Sequence, residues 1–496
     1  MSTTSQPALD ATSPLLQQLR ELLRSSGYCD AGIAPTINDS ELAPPGPGAP
    51  PTQLNTLLRL FIMLAGCRPE HASAAILPLT LAQLLEAGIL RANPDGVVSS
   101  VLGIQPYHDL LFAFERANPD VLPEEAVMFV SPSSVEVAHF MTRRPARRAL
   151  DVGTGSGFLA SLLAPFSEHV HAIDVNPAAL RAAEFNACWN GLANITFLSG
   201  NLFEPVRDLR FDLIVSNPPF IIAPVTAAFS SRYRFKHSGE EGDTFCIRLA
   251  REASQLLNED GYFHMMFQWE ETGGQPWSSK LEPSFSGLGC DAWVARILSV
   301  PAEEHVSEWI TSLTEEEQSA AETLAEQARQ YFQKKNVCSI GTGLLTLRRA
   351  SHRQNYFWFD EAPEDRSEPY GESVSALIDI RTHVLRVGDS GLLQEKLRVS
   401  PHLSMLQSSD IQKGRWKPTT TELLLDHGLK YSFGDLVPQL SALIATLDGS
   451  RTVKEALDLA AQENPTAAPE AVAACLLQIR ELLWYGFLIP MHFDSK

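Results

Sequence analysis

The chain has 496 residues, a formal net charge of −20 and seven cysteines. Its length exceeds one compact domain and predicts two to four, and its composition of 44% hydrophobic and 20% charged residues excludes a disordered chain. The acidic balance argues against an extended grip on nucleic-acid phosphates, so any such contact is expected to be local. The cysteines are scattered with no C-x-x-C pair, so we expect neither a metal site nor a disulfide framework, as fits a reducing cytoplasm. With no basic-then-apolar leader and no run of about eighteen apolar residues, the expected protein is soluble, cytoplasmic and without a membrane partner.

Taken in order, residues 1–51 read as a mobile start, a helix and a linker. Ser13-Pro14 opens the helix, Gly27 closes it, and Leu15, Leu19, Leu22 and Leu23 share its apolar face. Residues 43–51, APPGPGAPP, are the linker. Residues 52–125 suggest a winged-helix-like N-terminal domain: helices at Leu54–Ala65 and Leu79–Ala87, a turn at Asn93-Pro94-Asp95-Gly96, then a strand pair from Val97 to Ile104. Basic residues are sparse there, which favours a cap over a nucleic-acid reader. Ser131-Pro132 opens a further helix, which leads to Arg143, Arg144, Arg147 and Arg148, a cluster read as a solvated rim rather than a phosphate contact.

Residues 126–349 hold the stretch around which the chain is organised. Three apolar runs, Arg148–Val152, Val170–Val175 and Phe211–Ser216, read as buried parallel strands, each ending at Gly, Asp or Asn. The first turns through Asp151-Val-Gly153-Thr154-Gly155-Ser-Gly157 into a helix, so backbone can approach a bound group closely. Dinucleotides and S-adenosylmethionine both fit such a turn with a downstream acid, here Asp174. The third glycine of the dinucleotide fingerprint is absent, and Phe158 stands in its place.

The D-x-G-x-G-x-G loop, Asp174-Val175, Gly200-Asn201-Leu202 and Asn217-Pro218-Pro219-Phe220 together resemble the class I S-adenosylmethionine-dependent methyltransferases that carry an N-P-P-F acceptor motif. The resemblance implies a Rossmann-like α/β sheet of seven strands, the last antiparallel. It implies a cofactor site of Asp151, Gly153, Thr154, Gly155, Gly157, Asp174, Val175, Asn201, Leu202 and Asn217, with Asp174 on the ribose hydroxyls. Asn201 departs from the family's usual Asp. Catalysis is expected at Asn217, Pro218 and Phe220, where the Asn217 side-chain oxygen and the Pro218 carbonyl would accept from a planar nitrogen. Phe220 would stack on the flat acceptor, worth roughly 1–3 kcal/mol by analogy with single-strand binders.

The resemblance extends to ribosomal RNA guanine-N2 methyltransferases and to release-factor glutamine methyltransferases. Phe at position 220 makes an exocyclic base amine in RNA the expected acceptor; the alternative, to which the acidic charge tilts, is a protein or peptide glutamine amide with the C-terminal module binding the peptide. Cations and aromatics from Arg232 to His237 suit a loop over the acceptor. Further strands are expected at Gly261–Trp269, Asp291–Val300 and Val337–Arg348, with exposed helices in Glu303–Lys335. Residues 350–379 read as a linker. Residues 380–496 read as an α+β module with strands at His383–Val387 and Leu423–Leu425, helices at Val437–Leu447, Val453–Glu463 and Pro469–Leu483, a turn and cap at Asp448–Thr452, and a winged-helix-like end that resembles modules which hold peptides at a sheet edge. Nothing in the sequence fixes the oligomeric state.

Overall fold

A computed structural model of the chain describes residues 10–29, 52–115, 127, 130–223, 238–311, 315–363, 366, 369–412, 415–426, 429–434, 436, 440, 443–444, 446–463 and 469–493. The expected linker at 43–51 and the Arg232–His237 loop lie outside the described residues, as does most of the expected helix at 437–447.

The chain divides into two compact units, residues 1–137 with 145–360, and residues 138–144 with 361–496. In the first unit Ser13 Oγ accepts from Leu16 N and Pro14 takes the first turn of the helix Pro14–Ser25. Leu16, Leu19, Leu22 and Leu23 are its buried face. Leu16 is thus buried where Leu15 was expected, and Leu15 is only partly covered. That face packs on Leu57, Leu60 and Phe61 of the helix Gln53–Phe61. Shorter helices Pro69–Ala75 and Leu81–Glu86 come next, and the second is closed by a reciprocal Thr80–Gln83 capping box. Then come two antiparallel ladders: β1 (Leu90–Ala92) with β2 (Val98–Ser100), and β3 (Leu102–Tyr107) with β4 (Leu110–Glu115).

The second hairpin is tied by side-chain amides to the helix Pro177–Trp189. On that helix, Asn186 Oδ1 accepts from Ala113 N at 2.8 Å. Just past it, Asn190 Oδ1 accepts from Leu111 N at 3.0 Å and Nδ2 donates to Leu111 O at 2.8 Å. The amides therefore pair with β4 as a neighbouring strand would, and Trp189, fully buried, donates to Leu16 O at 3.0 Å.

The central sheet has the order β12-β10-β11-β9-β8-β5-β6-β7. Its strands are β5 (Ala146–Val152), β6 (Ser167–Asp174), β7 (Ile195–Ser199), β8 (Phe211–Ser216), β9 (Leu257–Thr272), β10 (Cys290–Pro301), β11 (Val337–Arg349) and β12 (Phe357–Glu361). β7, β6, β5, β8 and β9 run parallel, and β11 is antiparallel to both neighbours, β9 and β10. This is the expected Rossmann-like α/β sheet, with β12 as an eighth strand. The helices Ala302–Thr311 and Glu315–Lys334 stand between β10 and β11, where extra helices were expected. Their Val306, Ala325, Ala328 and Phe332 bury against Ile222 and Ile340.

Within the stretch expected to be a linker, 350–379, β12 extends the sheet at Phe357–Glu361 and a helix, Gly371–Leu392, begins. That helix also replaces the strand expected at His383–Val387, because Val374, Leu377, Ile378, Arg381 and Val384 recur on one buried helical face. In the second unit, β13 (Lys396–Val399) lies between β17 (Asp448–Thr452) and β18 (Leu488–Pro490). Asp448–Thr452, expected to be a turn and cap, is therefore an edge strand that also caps the helix Val453–Glu463, through Glu455 N to Thr452 Oγ1 at 3.2 Å. A second antiparallel sheet, β14 (Leu403–Gln412), β15 (Arg415–Asp426) and β16 (Lys430–Phe433), packs Leu423 and Leu425 into the same core as Ile479, Leu482 and Leu483 of the helix Pro469–Trp484. His383, Glu395 and His492 gather there. Because Arg386 donates to His383 Nδ1 at 3.0 Å, His383 Nε2 is the N–H that Glu395 accepts at 2.9 Å. Among the described residues no helix is long and apolar enough to cross a membrane.

Candidate functional site

Because β5, β6, β7 and β8 run parallel, their C-terminal ends meet at one edge of the sheet, where ligands of such folds bind. The β5 turn is built from left-handed glycines: Gly153, Gly155 and Gly157 have φ of 74°, 55° and 79°. The three differ in purpose. A Cβ at Gly157 would come 2.9 Å from Ala183 Cα, so this glycine lets the Pro177–Trp189 helix close on the turn. At Gly153 and Gly155 a Cβ would meet nothing within 4 Å, which leaves backbone facing open space.

Asp151 stabilises the turn from beneath. Its Oδ2 accepts from Thr154 Oγ1 at 2.7 Å and from Ala160 N at 3.0 Å. Its Oδ1 is buried and has no partner among the described residues. Burial pushes its carboxyl up to about 7, against the pull of those two hydrogen bonds. Asp174, at the end of β6, accepts from Gly155 N through Oδ2 and from Asn176 N through Oδ1, each at 2.9 Å. Burial raises this carboxyl too. Beside it Val175 is 57% exposed, an apolar side chain left open next to a polar turn. At the end of β7, Gly200 N donates to Asp174 O at 3.2 Å, Asn201 is exposed and Leu202 holds a left-handed φ of 48°.

At the end of β8, Ser216 Oγ donates to Val152 O at 2.8 Å and so ties the Asn217–Phe220 turn to the glycine turn. Asn217 comes next. Its Nδ2 donates to Ser134 Oγ at 2.9 Å, to Ser133 Oγ at 3.0 Å and to Ser131 Oγ at 3.3 Å, while its Oδ1 is buried without a partner among the described residues. Pro218 is buried, and Phe220 is half-buried against the core of Ile214, Phe263 and Met265. The next residue but one is pinned at both ends: Gln268 Oε1 accepts from Ile222 N at 3.0 Å, and Ile222 O lies 2.7 Å from His305 Nε2.

The sheet thus brings Asp151, Gly153, Thr154, Gly155, Gly157, Asp174, Val175, Asn201, Leu202, Asn217, Pro218 and Phe220 to one edge. Arg147 and Arg148 stand at the other end of β5, roughly 13–17 Å from its C-terminal end at strand rise, so they do not face this site. Sequence reasoning missed Ser133, Ser134 and Asn186. The available signal was the Ser131-Pro132 helix start, but only the fold connects it to Asn217.

Comparison with known proteins agrees with this geometry. Residues 131–232 match the family described as Methyltransferase small domain. A release factor glutamine methyltransferase of Agrobacterium fabrum is 30% identical over 206 residues, which cover 39% of this chain and 68% of that protein. The chain belongs to the class I methyltransferases. A release factor glutamine methyltransferase of Geobacter sulfurreducens is 36% identical over 178 residues, 34% of this methyltransferase-family chain and 62% of the relative. A ribosomal protein uL3 glutamine methyltransferase of Xanthomonas campestris is 32% identical over 125 residues, 24% and 41% respectively. The chain therefore spans less than two thirds of the length of these last two relatives.

Proposed function

We propose that this chain is an N-methyltransferase that uses S-adenosylmethionine and modifies the side-chain amide of a glutamine in a protein acceptor. The observation that carries the reading is the unpartnered, buried Asn217 Oδ1 at the sheet edge beside an open glycine turn. A buried acceptor without a donor is costly, on the order of 1–3 kcal/mol, and an incoming N–H removes that cost.

The residues present fit the cofactor. Gly153 and Gly155 leave room for it against bare backbone, Asp151 and Thr154 shape that turn with Gly157, and Asp174 offers carboxylate oxygens for ribose hydroxyls. Val175 and Leu202 provide apolar surface for the adenine, and Asn201 an amide oxygen for its amino group. When bound, S-adenosylmethionine supplies an electrophilic methyl carbon on a sulfonium centre. An amide nitrogen is a poor nucleophile because its lone pair is delocalised. Asn217 Oδ1 and the Pro218 carbonyl accept its two N–H groups and thereby hold the nitrogen and favour its pyramidal form. The rate then depends mainly on positioning, with no strong base required.

The RNA base favoured by the sequence gives way to a protein amide, because the matching relatives are protein glutamine methyltransferases. A formal charge of −20 weighs the same way. The test is transfer of radiolabelled methyl from S-adenosylmethionine into lysate of a strain lacking the gene, followed by protease, ribonuclease and acid hydrolysis. Protease-sensitive label that acid hydrolysis releases as methylamine, the mark of an N-methylated amide, is expected. Ribonuclease-sensitive label would overturn the acceptor assignment, and no label in any fraction would overturn the activity.

A further inference from the structure

The proposed mechanism needs an oxygen, not an NH2 group, at the acceptor side of Asn217. An asparagine side chain is two-faced: half a turn about its last torsion exchanges acceptor for donors. With the NH2 outward, Asn217 would set donor against the N–H groups of an amide acceptor, and nothing would hold the nitrogen. Something in the fold must therefore fix that torsion.

The first turn of the helix Pro132–Phe140 does so. Ser133 Oγ and Ser134 Oγ lie 3.0 and 2.9 Å from Asn217 Nδ2, one hydroxyl for each amide proton. Both hydroxyls are in turn held by Ser131 Oγ, at 2.9 and 3.0 Å. Ser131 is itself anchored as the helix cap, accepting from Ser134 N at 3.2 Å. With Asn217 Nδ2 turned to the three serine hydroxyls, Asn217 Oδ1 is the atom left over. We infer that Ser133 and Ser134 are positioning residues that lock the Asn217 amide with its oxygen toward the acceptor. They touch no reacting atom. The inference rests on the methyl-transfer reading for its catalytic consequence, but the lock itself is a property of the folded chain.

The test compares full-length wild type with S133A/S134A, S133T/S134T, N217A and the triple variant S133A/S134A/N217A. For S133A/S134A, kcat is expected to fall on the order of 10-fold, with cofactor affinity within about twofold, as for loss of a group that orients a catalytic dipole. The Thr pair, which keeps both hydroxyls, should recover most of that rate, and in the N217A background the alanines should add no further loss. Wild-type kcat in S133A/S134A, or a full additive loss in the triple variant, would overturn the inference. A second readout needs no acceptor. With 15N-asparagine labelling, the Asn217 side-chain NH2 signal, identified by its absence in N217A, should exchange slowly with water in wild type and faster in S133A/S134A. Equal exchange would sink the lock whatever the activity. Protected NH2 protons in a chain that methylates nothing would instead sink the functional reading alone. If the double variant melts early, the single variants S133A and S134A give the same exchange comparison.

Discussion

Asn186 Nδ2 donates to the carbonyl of Ser156 at 2.9 Å, joining the helix after β6 to the middle of the glycine turn. The same NH2 reaches Ala113 O at 3.2 Å, and Oδ1 takes Ala113 N, so one fully buried side chain serves three backbone groups. Asn186→Ala strands all three at once. Each buried group left unsatisfied costs roughly 1–3 kcal/mol, so a clear fall in melting temperature and weaker cofactor binding are expected. Calorimetry of the variant with and without S-adenosylmethionine checks both, and a wild-type melt would show that water replaces the amide.

Gly155→Asp tests the turn itself. Gly155 holds φ of 55° and its N–H already donates to Asp174. A side chain there is strained and fills the open space, and a carboxylate adds repulsion toward Asp174. Loss of measurable S-adenosylmethionine binding in a chain that still folds is the expected result. Unchanged affinity by titration calorimetry would remove the cofactor from this turn.

Asn217→Ala separates acceptor from cofactor. The Ala side chain offers no oxygen at the sheet edge, so turnover should drop roughly 100-fold or more, by analogy with deletion of one positioned catalytic hydrogen-bonding group. Cofactor affinity should stay within about threefold, since the glycine turn and Asp174 are untouched. Parallel loss of both would assign Asn217 to the cofactor.

Two buried groups give the apoprotein opposing pH responses. The Asp151 carboxyl is raised from 3.8 to about 7 by burial, so the folded chain holds more protons than the unfolded one between those values, and stability falls as pH rises through them. His264, wholly buried beside Thr346, is lowered from 6.5 to about 3 by burial, so its contribution is present above 6.5 and is lost as pH falls towards 3. Asp151→Asn should therefore gain stability relative to wild type on going from about pH 5 to about pH 8, with a slope of at most about 1.4 kcal/mol per pH unit. His264→Phe should lose the acid limb. Denaturant melts across this range check both, and a parallel curve for Asp151→Asn would mean that its carboxylate finds a partner in solution.

The local motifs were legible because their causes are local. Glycines that must take left-handed φ, an acid at the end of a strand and a proline-locked turn after Asn217 are written in consecutive residues, and apolar runs announced the strands that carry them. The expected strand at His383–Val387 failed because so short a run, with Val384, Leu385 and Val387, suits a strand as well as the helix that buries Val384 beside Arg381. Asp448–Thr452 looked like a turn by composition and became a strand because β13 offered it an edge.

What the sequence determined by itself is which groups stand at the sheet edge, since the glycine turn, Asp174 and Asn217 are set by their own backbone geometry or functional group. What only the tertiary structure decided is how those groups are aimed. Asn217 and Ser134 are 83 residues apart in the chain, and Asn186 and Ala113 are 73 apart. No short-range pattern encodes a hydrogen bond across such a distance. It exists because the fold sets the start of the Pro132–Phe140 helix beside the end of β8, and β4 against the helix Pro177–Trp189.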